Sequence, residues 1–227
     1  VWSRTELEGW REYVAAGSAI VLLCGVGWLA RRHPVRLAAV AGAILVAQGA
    51  SSTWNDSSTA WRGRSFFGTY RVVDQPDWRV LMHGTTVHGA QSYAAESRRL
   101  PAAYYGPTSG IALALDRSPA ERIGIVGLGT GATACWAQPG QRWTFFEIDP
   151  LMVHVARDTG LFTYLRDCTP DARIVLGDAR LTLANEPDGA FDVLAIDAFT
   201  SDAIPLHLLT AEAFALYGRR LAPGGVL

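Results

Sequence analysis

Hydrophobic and polar positions follow three different patterns along the 227-residue chain. Residues 13–30 and 37–54 are long apolar runs without a polar stripe at helical spacing. Residues 65–105 contain short, partly alternating β-type runs, whereas residues 106–227 alternate short apolar runs with helical stretches. We therefore expect an apolar N-terminal part, a small β-subdomain and an α/β domain, with a polar linker at residues 55–64.

The two apolar runs predict a hairpin of transmembrane helices within residues 1–54. The first run has eighteen residues without a charge, close to the roughly 20 that cross a bilayer as a helix. Three tryptophans lie near the expected membrane–water interfaces: Trp10, Trp28 and Trp54. We therefore expect an integral membrane protein with helices at about 13–30 and 37–54. Two buried core helices, or a secretory signal beginning at RRHPVR, are the alternatives.

The last part of the chain predicts a Rossmann-like parallel sheet with helices on both faces. The runs RIGIVGLG, RWTFFEID, ARIVLGD and FDVLAID each end in a glycine or an acid, and helical stretches separate them. GGVL would open a fifth strand, after which the sheet is truncated. Because the chain begins with Val1 and stops within LAPGGVL, we expect it to be part of a longer protein.

Glycines and acids stand at the ends of the predicted strands, where an open α/β sheet binds its ligand. The candidates are Gly127, Gly129 and Gly131 after the first strand, Glu147 after the second, Asp178 and Ala179 after the third, and Asp197 after the fourth. Glycines let the backbone approach a ligand, and an acid twenty residues beyond the first glycine suits both ribose hydroxyls. Together these residues predict a nucleoside-binding site.

Two cofactors compete for this site. The pattern Gly127-x-Gly129-x-x-Ala132 also fits a dinucleotide fingerprint, so an NAD-dependent dehydrogenase is an alternative. The later acids favour an adenosine that carries a sulfonium, because Asp178 can accept from the adenine amino group and carboxylates suit a cation. We therefore expect a cofactor of the S-adenosylmethionine type.

Composition excludes several other functions. The net charge is −1, so the sequence lacks the excess of positive charge that nucleic-acid binding requires. All twenty basic residues are arginines, which excludes catalysis through a lysine Schiff base. Cys24, Cys135 and Cys168 are odd in number and far apart, so we expect reduced thiols rather than a disulfide. No spacing of histidines or cysteines predicts a metal site, and the histidines, His83 and His88 included, are expected to be structural.

Three motifs stand at the predicted strand ends: EID at 147–149, GDA at 177–179 and FDVLAIDAFTSDAIP at 191–205. They resemble the polyamine aminopropyltransferases, the spermidine synthases, and most of all their membrane-fused form. The resemblance covers about residues 65–227 and includes the β-subdomain with HGTTVHGAQ. It implies attack by a polyamine such as putrescine on decarboxylated S-adenosylmethionine, which releases methylthioadenosine, and it also implies a homodimer formed through the β-subdomain.

The resemblance also assigns roles to the candidate residues. Asp197 would orient the attacking amine and accept its proton, Glu147 would hold the ribose, and Asp178 the adenine amino group. Gln91 would contact the cofactor from the β-subdomain, and Tyr105 and Asp202 would bind the amine. Because the donor is made in the cytosol, the catalytic domain is placed on the cytoplasmic side.

The sequence departs from the family at two positions. Thr130 stands where the family's glycine turn has an aspartate, and Asp202 lies five residues after Asp197 instead of three. Fewer carboxylates weaken the binding of a polycation. Two alternatives therefore remain. One is a methyltransferase that uses intact S-adenosylmethionine, and the other is a non-catalytic domain that senses nucleosides or polyamines and is attached to a membrane transporter.

Overall fold

The computed structural model describes residues 33–54, 58–117, 120–199 and 203–227. The chain divides into two compact units. The first, Val1–Ser57, contains helix α1, Pro34–Trp54. The second, Ser58–Leu227, contains two β-sheets and the helices that connect their strands.

Helix α1 does not support the predicted membrane hairpin. Among the residues that the structure describes, no helix is long and apolar enough to cross a membrane. The apolar run 37–47 within α1 rises only about 16 Å at 1.5 Å per residue, against roughly 30 Å of hydrocarbon, before Gln48 interrupts it. The predicted span at 37–54 is therefore not supported, and the predicted integral membrane location is contradicted. The predicted span at 13–30 lies outside the described residues.

Four strands form an antiparallel sheet in the order β1-β2-β3-β4. Their bounds are Thr59–Arg64, Thr69–Asp74, Trp78–His83 and Thr86–Ser92. β1 occupies part of the segment that the sequence assigned to a linker. Its residues alternate between half-buried and exposed, and Trp61 packs into an apolar cluster, which is the pattern of a strand with one covered face.

Five strands form a parallel sheet in the order β7-β6-β5-β8-β9. Their bounds are β5 Arg122–Val126, β6 Arg142–Glu147, β7 Arg173–Leu176, β8 Phe191–Ile196 and β9 Leu221–Val226. This confirms the predicted Rossmann-like parallel sheet. The strand order reverses between β5 and β8, so a ligand crevice is expected at the carboxyl ends of these two strands.

Short helices precede and connect the parallel strands. They are α2 Gly110–Arg117, α3 Pro150–Val153 with a π-helical continuation His154–Asp158, α4 Tyr164–Cys168, α5 Ala179–Ala184 and α6 Ala211–Arg220. Turns of 3₁₀ helix span Ala103–Tyr105, Ala132–Trp136 and Leu206–Leu208. Helix α6 begins at Ala211, where the Thr210 hydroxyl caps it by accepting from the Ala213 N–H at 3.3 Å.

Apolar clusters cover both faces of the parallel sheet and also join it to the small sheet. The joining cluster contains Tyr70, Val72 and Leu81 from the small sheet and Met152, Val155 and Phe162 from the segment after β6. All six side chains are buried. The small sheet is therefore held next to the carboxyl ends of the parallel strands.

The structure corrects the prediction for two cysteines. Cys135, in the 3₁₀ turn after β5, and Cys168, at the end of α4, form a disulfide with a Cα–Cα distance of 5.0 Å. The prediction of reduced thiols is wrong for this pair, whereas Cys24 lies outside the described residues. The two cysteines meet because the turn packs against α4, a tertiary contact that a separation of 33 residues does not reveal.

Candidate active site

A cavity of about 250 Å³ lies at the carboxyl ends of β5, β6, β7 and β8. The strand-end residues that line it include six that the sequence proposed: Gly127, Gly129, Glu147, Asp178, Ala179 and Asp197. The fold thus brings together these six residues that the sequence proposed at the strand ends, and the proposed Tyr105 lines the cavity as well. Among the described residues that line the cavity there are three carboxylates and no arginine, so its potential suits a cation.

Two glycines of the turn after β5 are required by close backbone contacts. Gly127 has φ 101°, and a Cβ atom there would lie 2.3 Å from the carbonyl oxygen of Asp197. Gly129 has φ 52°, and its Cβ would lie 3.1 Å from the carbonyl oxygen of His88. A side chain at Gly127 would therefore push apart the ends of β5 and β8. Gly131 also has a positive φ but lies against Leu165, outside the cavity wall.

Glu147 is a buried carboxylate at the end of β6. Its two oxygens accept from the backbone N–H of Leu128 at 3.0 Å and of Asp149 at 2.9 Å. Burial raises the pKa of this carboxyl, while the backbone donors act in the opposite direction. The two backbone hydrogen bonds fix the Glu147 side chain in place. Because each of its oxygens keeps a further lone pair, it can still accept hydrogen bonds from ligand hydroxyls.

Asp178 connects the end of β7 to helix α5 and to the loop after β8. Its Oδ1 caps α5 by accepting from the Leu181 N–H at 3.1 Å. Its Oδ2 lies 2.9 Å from Nε2 of His207, a residue that also lines the cavity. The sequence proposed Asp178 but treated His207 as structural, because no spacing relates residues that are 29 positions apart.

Asp197 lies at the end of β8 and accepts a hydrogen bond from the Tyr105 hydroxyl at 2.5 Å. Tyr105 is buried, and its carbonyl accepts from the indole N–H of Trp136 at 3.0 Å. Burial raises the pKa of the Asp197 carboxyl to about 6, although the Tyr105 hydroxyl acts to lower it. Burial and the nearby Asp197 charge raise the pKa of Tyr105, which therefore stays a donor.

Two other proposed residues are not found in the cavity: Gln91 lies elsewhere, and Asp202 falls outside the described residues. The Gln91 amide is occupied elsewhere, since its oxygen accepts from the Thr163 N–H at 2.9 Å and its nitrogen donates to the Arg98 carbonyl at 3.0 Å. Gln91 therefore joins β4 to the start of α4, and this geometry does not support its role as a cofactor ligand. Asp202 lies outside the described residues.

Thr130, one of the two positions that depart from the resembled pattern, is fully buried. It packs against Gly89 of β4, where an added Cβ would lie 2.6 Å from the threonine Oγ1. Thr130 is not among the residues that line the cavity. Thr130 therefore adds no charge to this site.

The small sheet and the turn before α2 supply an aromatic wall that the sequence identified only in part. Its members are Phe67, Tyr70, His83, His88, Tyr104 and Tyr105. The sequence suggested Tyr104 and Tyr105 as walls of the amine pocket, but the other four became recognisable only when the small sheet was seen to pack beside the strand ends. Aromatic rings beside carboxylates provide a surface that attracts organic cations.

Comparison with known proteins gives two similar curated sequences, and no family model matches the chain. A probable polyamine aminopropyl transferase of Bifidobacterium longum is 27% identical over 175 residues, which cover 76% of this chain and 37% of that protein. A polyamine aminopropyltransferase of Vibrio vulnificus is 28% identical over 173 residues, which cover 72% of this chain and 56% of that protein. The chain thus spans less than two thirds of either relative.

Solved structures agree with this similarity at the level of the fold. A probable spermidine synthase from Corynebacterium glutamicum matches with a TM-score of 0.61 and 20% identity, and the match covers 73% of this chain and 61% of the other. The chain is therefore similar in sequence to the polyamine aminopropyltransferases and has the fold of the spermidine synthases.

Proposed function

We propose that this protein transfers an aminopropyl group from decarboxylated S-adenosylmethionine to a polyamine such as putrescine. Both curated relatives are named as polyamine aminopropyltransferases. The strand-end acids that resemble that family line one cavity in this chain. Sequence similarity and site chemistry therefore support the same class of enzyme.

The residues that line the cavity fit an adenosine with a cationic sulfur. Glu147, held by two backbone N–H groups, can accept from the ribose hydroxyls, and Asp178 can accept from the adenine amino group. Gly127 and Gly129 leave room for the nucleoside to approach the backbone. The negative potential of the three carboxylates favours a sulfonium over a neutral nucleoside.

Asp197 is suited to activate the acceptor amine. The amine nitrogen bonds to the donor carbon next to the sulfonium, and the carbon–sulfur bond breaks with its electron pair returning to sulfur. The new ammonium loses a proton, which the Asp197 carboxylate can accept, and methylthioadenosine leaves as a neutral product. With a pKa of about 6 the carboxylate is mostly ionised at neutral pH, yet it is more basic than an exposed aspartate.

A single observation carries the proposal: Asp197 lies in the same cavity as Glu147 and Asp178, and the Tyr105 hydroxyl fixes its carboxylate. A domain that only senses nucleosides has no need of a third oriented carboxylate there. The convergence therefore supports a site that holds a cationic amine beside the nucleoside, as aminopropyl transfer requires.

The test is release of methylthioadenosine from decarboxylated S-adenosylmethionine and putrescine by the full-length protein. Asp197→Asn should lower kcat by about 100-fold or more, the usual contribution of a general base. Asp158→Asn is the matched control, because Asp158 is exposed, pairs with Arg157 and does not line the cavity. Absence of turnover in the wild type, or equal losses in both variants, would contradict the proposal.

A methyltransferase is the second candidate, and Thr130 is the observation that favours it. Because Thr130 is buried away from the cavity, the site lacks the carboxylate that the family places there for the aminopropyl ammonium group. Calorimetric titration with intact and decarboxylated S-adenosylmethionine distinguishes the two functions. Tighter binding of the decarboxylated form supports aminopropyl transfer, and tighter binding of the intact form supports methyl transfer.

The homodimer implied by the family resemblance remains a further proposal. The resemblance assigns the contact to the small sheet, which carries the exposed apolar side chains of Trp78 and Val87. Sedimentation equilibrium of the full-length protein would measure the mass directly. A monomer at micromolar concentration would reject the dimer without affecting the proposed chemistry.

A further inference from the structure

His207 forms a contact in the cavity that neither the relatives' names nor the predicted motifs assign. Its Nε2 lies 2.9 Å from Oδ2 of Asp178, the carboxylate proposed to bind the adenine amino group. The imidazole is 47% exposed and lines the cavity. It therefore lies at the edge where the base of a bound nucleoside would be placed.

The backbone around His207 is held from two sides. Its carbonyl accepts from the guanidinium of Arg180 at 3.3 Å. The next residue, Leu208, is buried, and its carbonyl accepts from the Tyr217 hydroxyl at 3.1 Å. The imidazole thus approaches Asp178 from a 3₁₀ turn whose backbone is held in place, and this fixes the orientation of the His207 side chain toward Asp178.

The two contacts of Asp178 use different oxygens. Oδ1 accepts from the Leu181 N–H and caps α5, while Oδ2 meets His207. The helix cap alone would leave the carboxylate free to tilt about its Oδ1 contact. With both oxygens engaged, the plane of the carboxylate is fixed, and so is the direction from which a further donor can approach it.

We propose that His207 is a positioning residue that makes the base end of the cavity selective for a 6-aminopurine. This inference rests on the proposed function, because it takes Asp178 as the acceptor for the base. A 6-amino group donates to the oriented carboxylate. A 6-oxo group presents an acceptor to the same oxygens and is rejected, and the rejection is strongest when the carboxylate cannot turn away.

The test compares binding of 5′-methylthioadenosine and its 6-oxo analogue 5′-methylthioinosine to the full-length protein by calorimetry. The variants are His207→Ala, His207→Gln and, as matched control, His154→Ala. Glutamine carries an amide N–H at a reach similar to Nε2 of histidine. His154 also pairs with an acid, Asp158, at 3.3 Å, but it is exposed and does not line the cavity.

His207→Ala should lower the preference for the 6-amino nucleoside by about 5- to 10-fold, through weaker binding of methylthioadenosine together with weaker rejection of methylthioinosine. His207→Gln should restore most of the preference, and His154→Ala should leave it unchanged. If His207 had a purely structural role, His207→Ala would weaken the binding of both nucleosides equally, and the ratio of their dissociation constants would stay as in the wild type.

The outcomes separate this inference from the proposed function. If the wild type prefers methylthioadenosine and His207→Ala keeps the same preference, the inference is overturned and the proposed function stands. If His207→Ala changes the preference but His207→Gln does not restore it, the hydrogen-bonding role is overturned. If the wild type binds neither nucleoside, the proposed function fails and the inference fails with it.

Discussion

Replacing Tyr105 with phenylalanine should change the pH dependence of catalysis while the aromatic ring at this position of the cavity wall is kept. The Tyr105 hydroxyl donates to Asp197 at 2.5 Å, and a hydrogen bond to the ionised form of an acid lowers its pKa. Phenylalanine keeps the ring but removes this donor. The pKa of Asp197 should therefore rise above its value of about 6 in the wild type.

The size of the effect follows from the strength of that hydrogen bond. A bond to a charged group contributes roughly 1.5 kcal/mol, and 1.36 kcal/mol changes an acid constant about tenfold, so the pKa should move from about 6 to about 7. The ionised fraction of Asp197 then falls from roughly 90% to 50% at pH 7, and from roughly 50% to 10% at pH 6. The variant should lose about twofold in rate at pH 7, about fivefold at pH 6 and almost nothing at pH 8.5.

The assay is the ratio of variant to wild-type kcat/KM for methylthioadenosine release between pH 5.5 and 9. In this ratio the pH dependence caused by ionisation of the polyamine cancels, because both enzymes act on the same substrate. Tyr93→Phe is the matched control, since the Tyr93 hydroxyl donates to Asp74 at the same 2.5 Å distance but Tyr93 does not line the cavity. A ratio for Tyr105→Phe that is independent of pH would refute the reasoning.

Three further changes have definite expectations. Gly127→Ala should abolish binding of methylthioadenosine in calorimetry, because its Cβ would lie 2.3 Å from the Asp197 carbonyl oxygen; wild-type affinity would contradict this. In urea unfolding, Asp197→Asn should raise the free energy of unfolding by roughly 2–3 kcal/mol at pH 8 and leave it unchanged at pH 3.5. Burial raises the pKa of Asp197 from 3.8 to about 6 in the folded protein, so the wild type loses stability as the pH rises from 3.8 to 6, whereas asparagine does not ionise. The double variant Cys135→Ala/Cys168→Ala should lower the free energy of unfolding by about 3–4 kcal/mol, since the disulfide closes a 33-residue separation; an unchanged urea midpoint would rule this out.

Local patterns in the sequence were sufficient for the parallel sheet and for most of its strand-end residues. Each apolar run of four to six residues that ended in glycine or an acid became a strand of that sheet. In a parallel sheet the carboxyl ends of the strands share one edge, so Glu147, Asp178 and Asp197 had to come close together. The membrane prediction failed because it depended on the length of an apolar run, and polar residues shorten the run in α1 to about half a bilayer.

The sequence by itself therefore determined the type of sheet, the order of its strand-end acids and the need for glycine at Gly127. Only the tertiary structure decided which distant side chains meet those acids: Tyr105 at Asp197, His207 at Asp178, and Cys135 at Cys168. These pairs are separated by 92, 29 and 33 positions and lie on turns and short helices. The period of a strand or helix relates only near neighbours, whereas contacts between loops depend on how the complete elements pack.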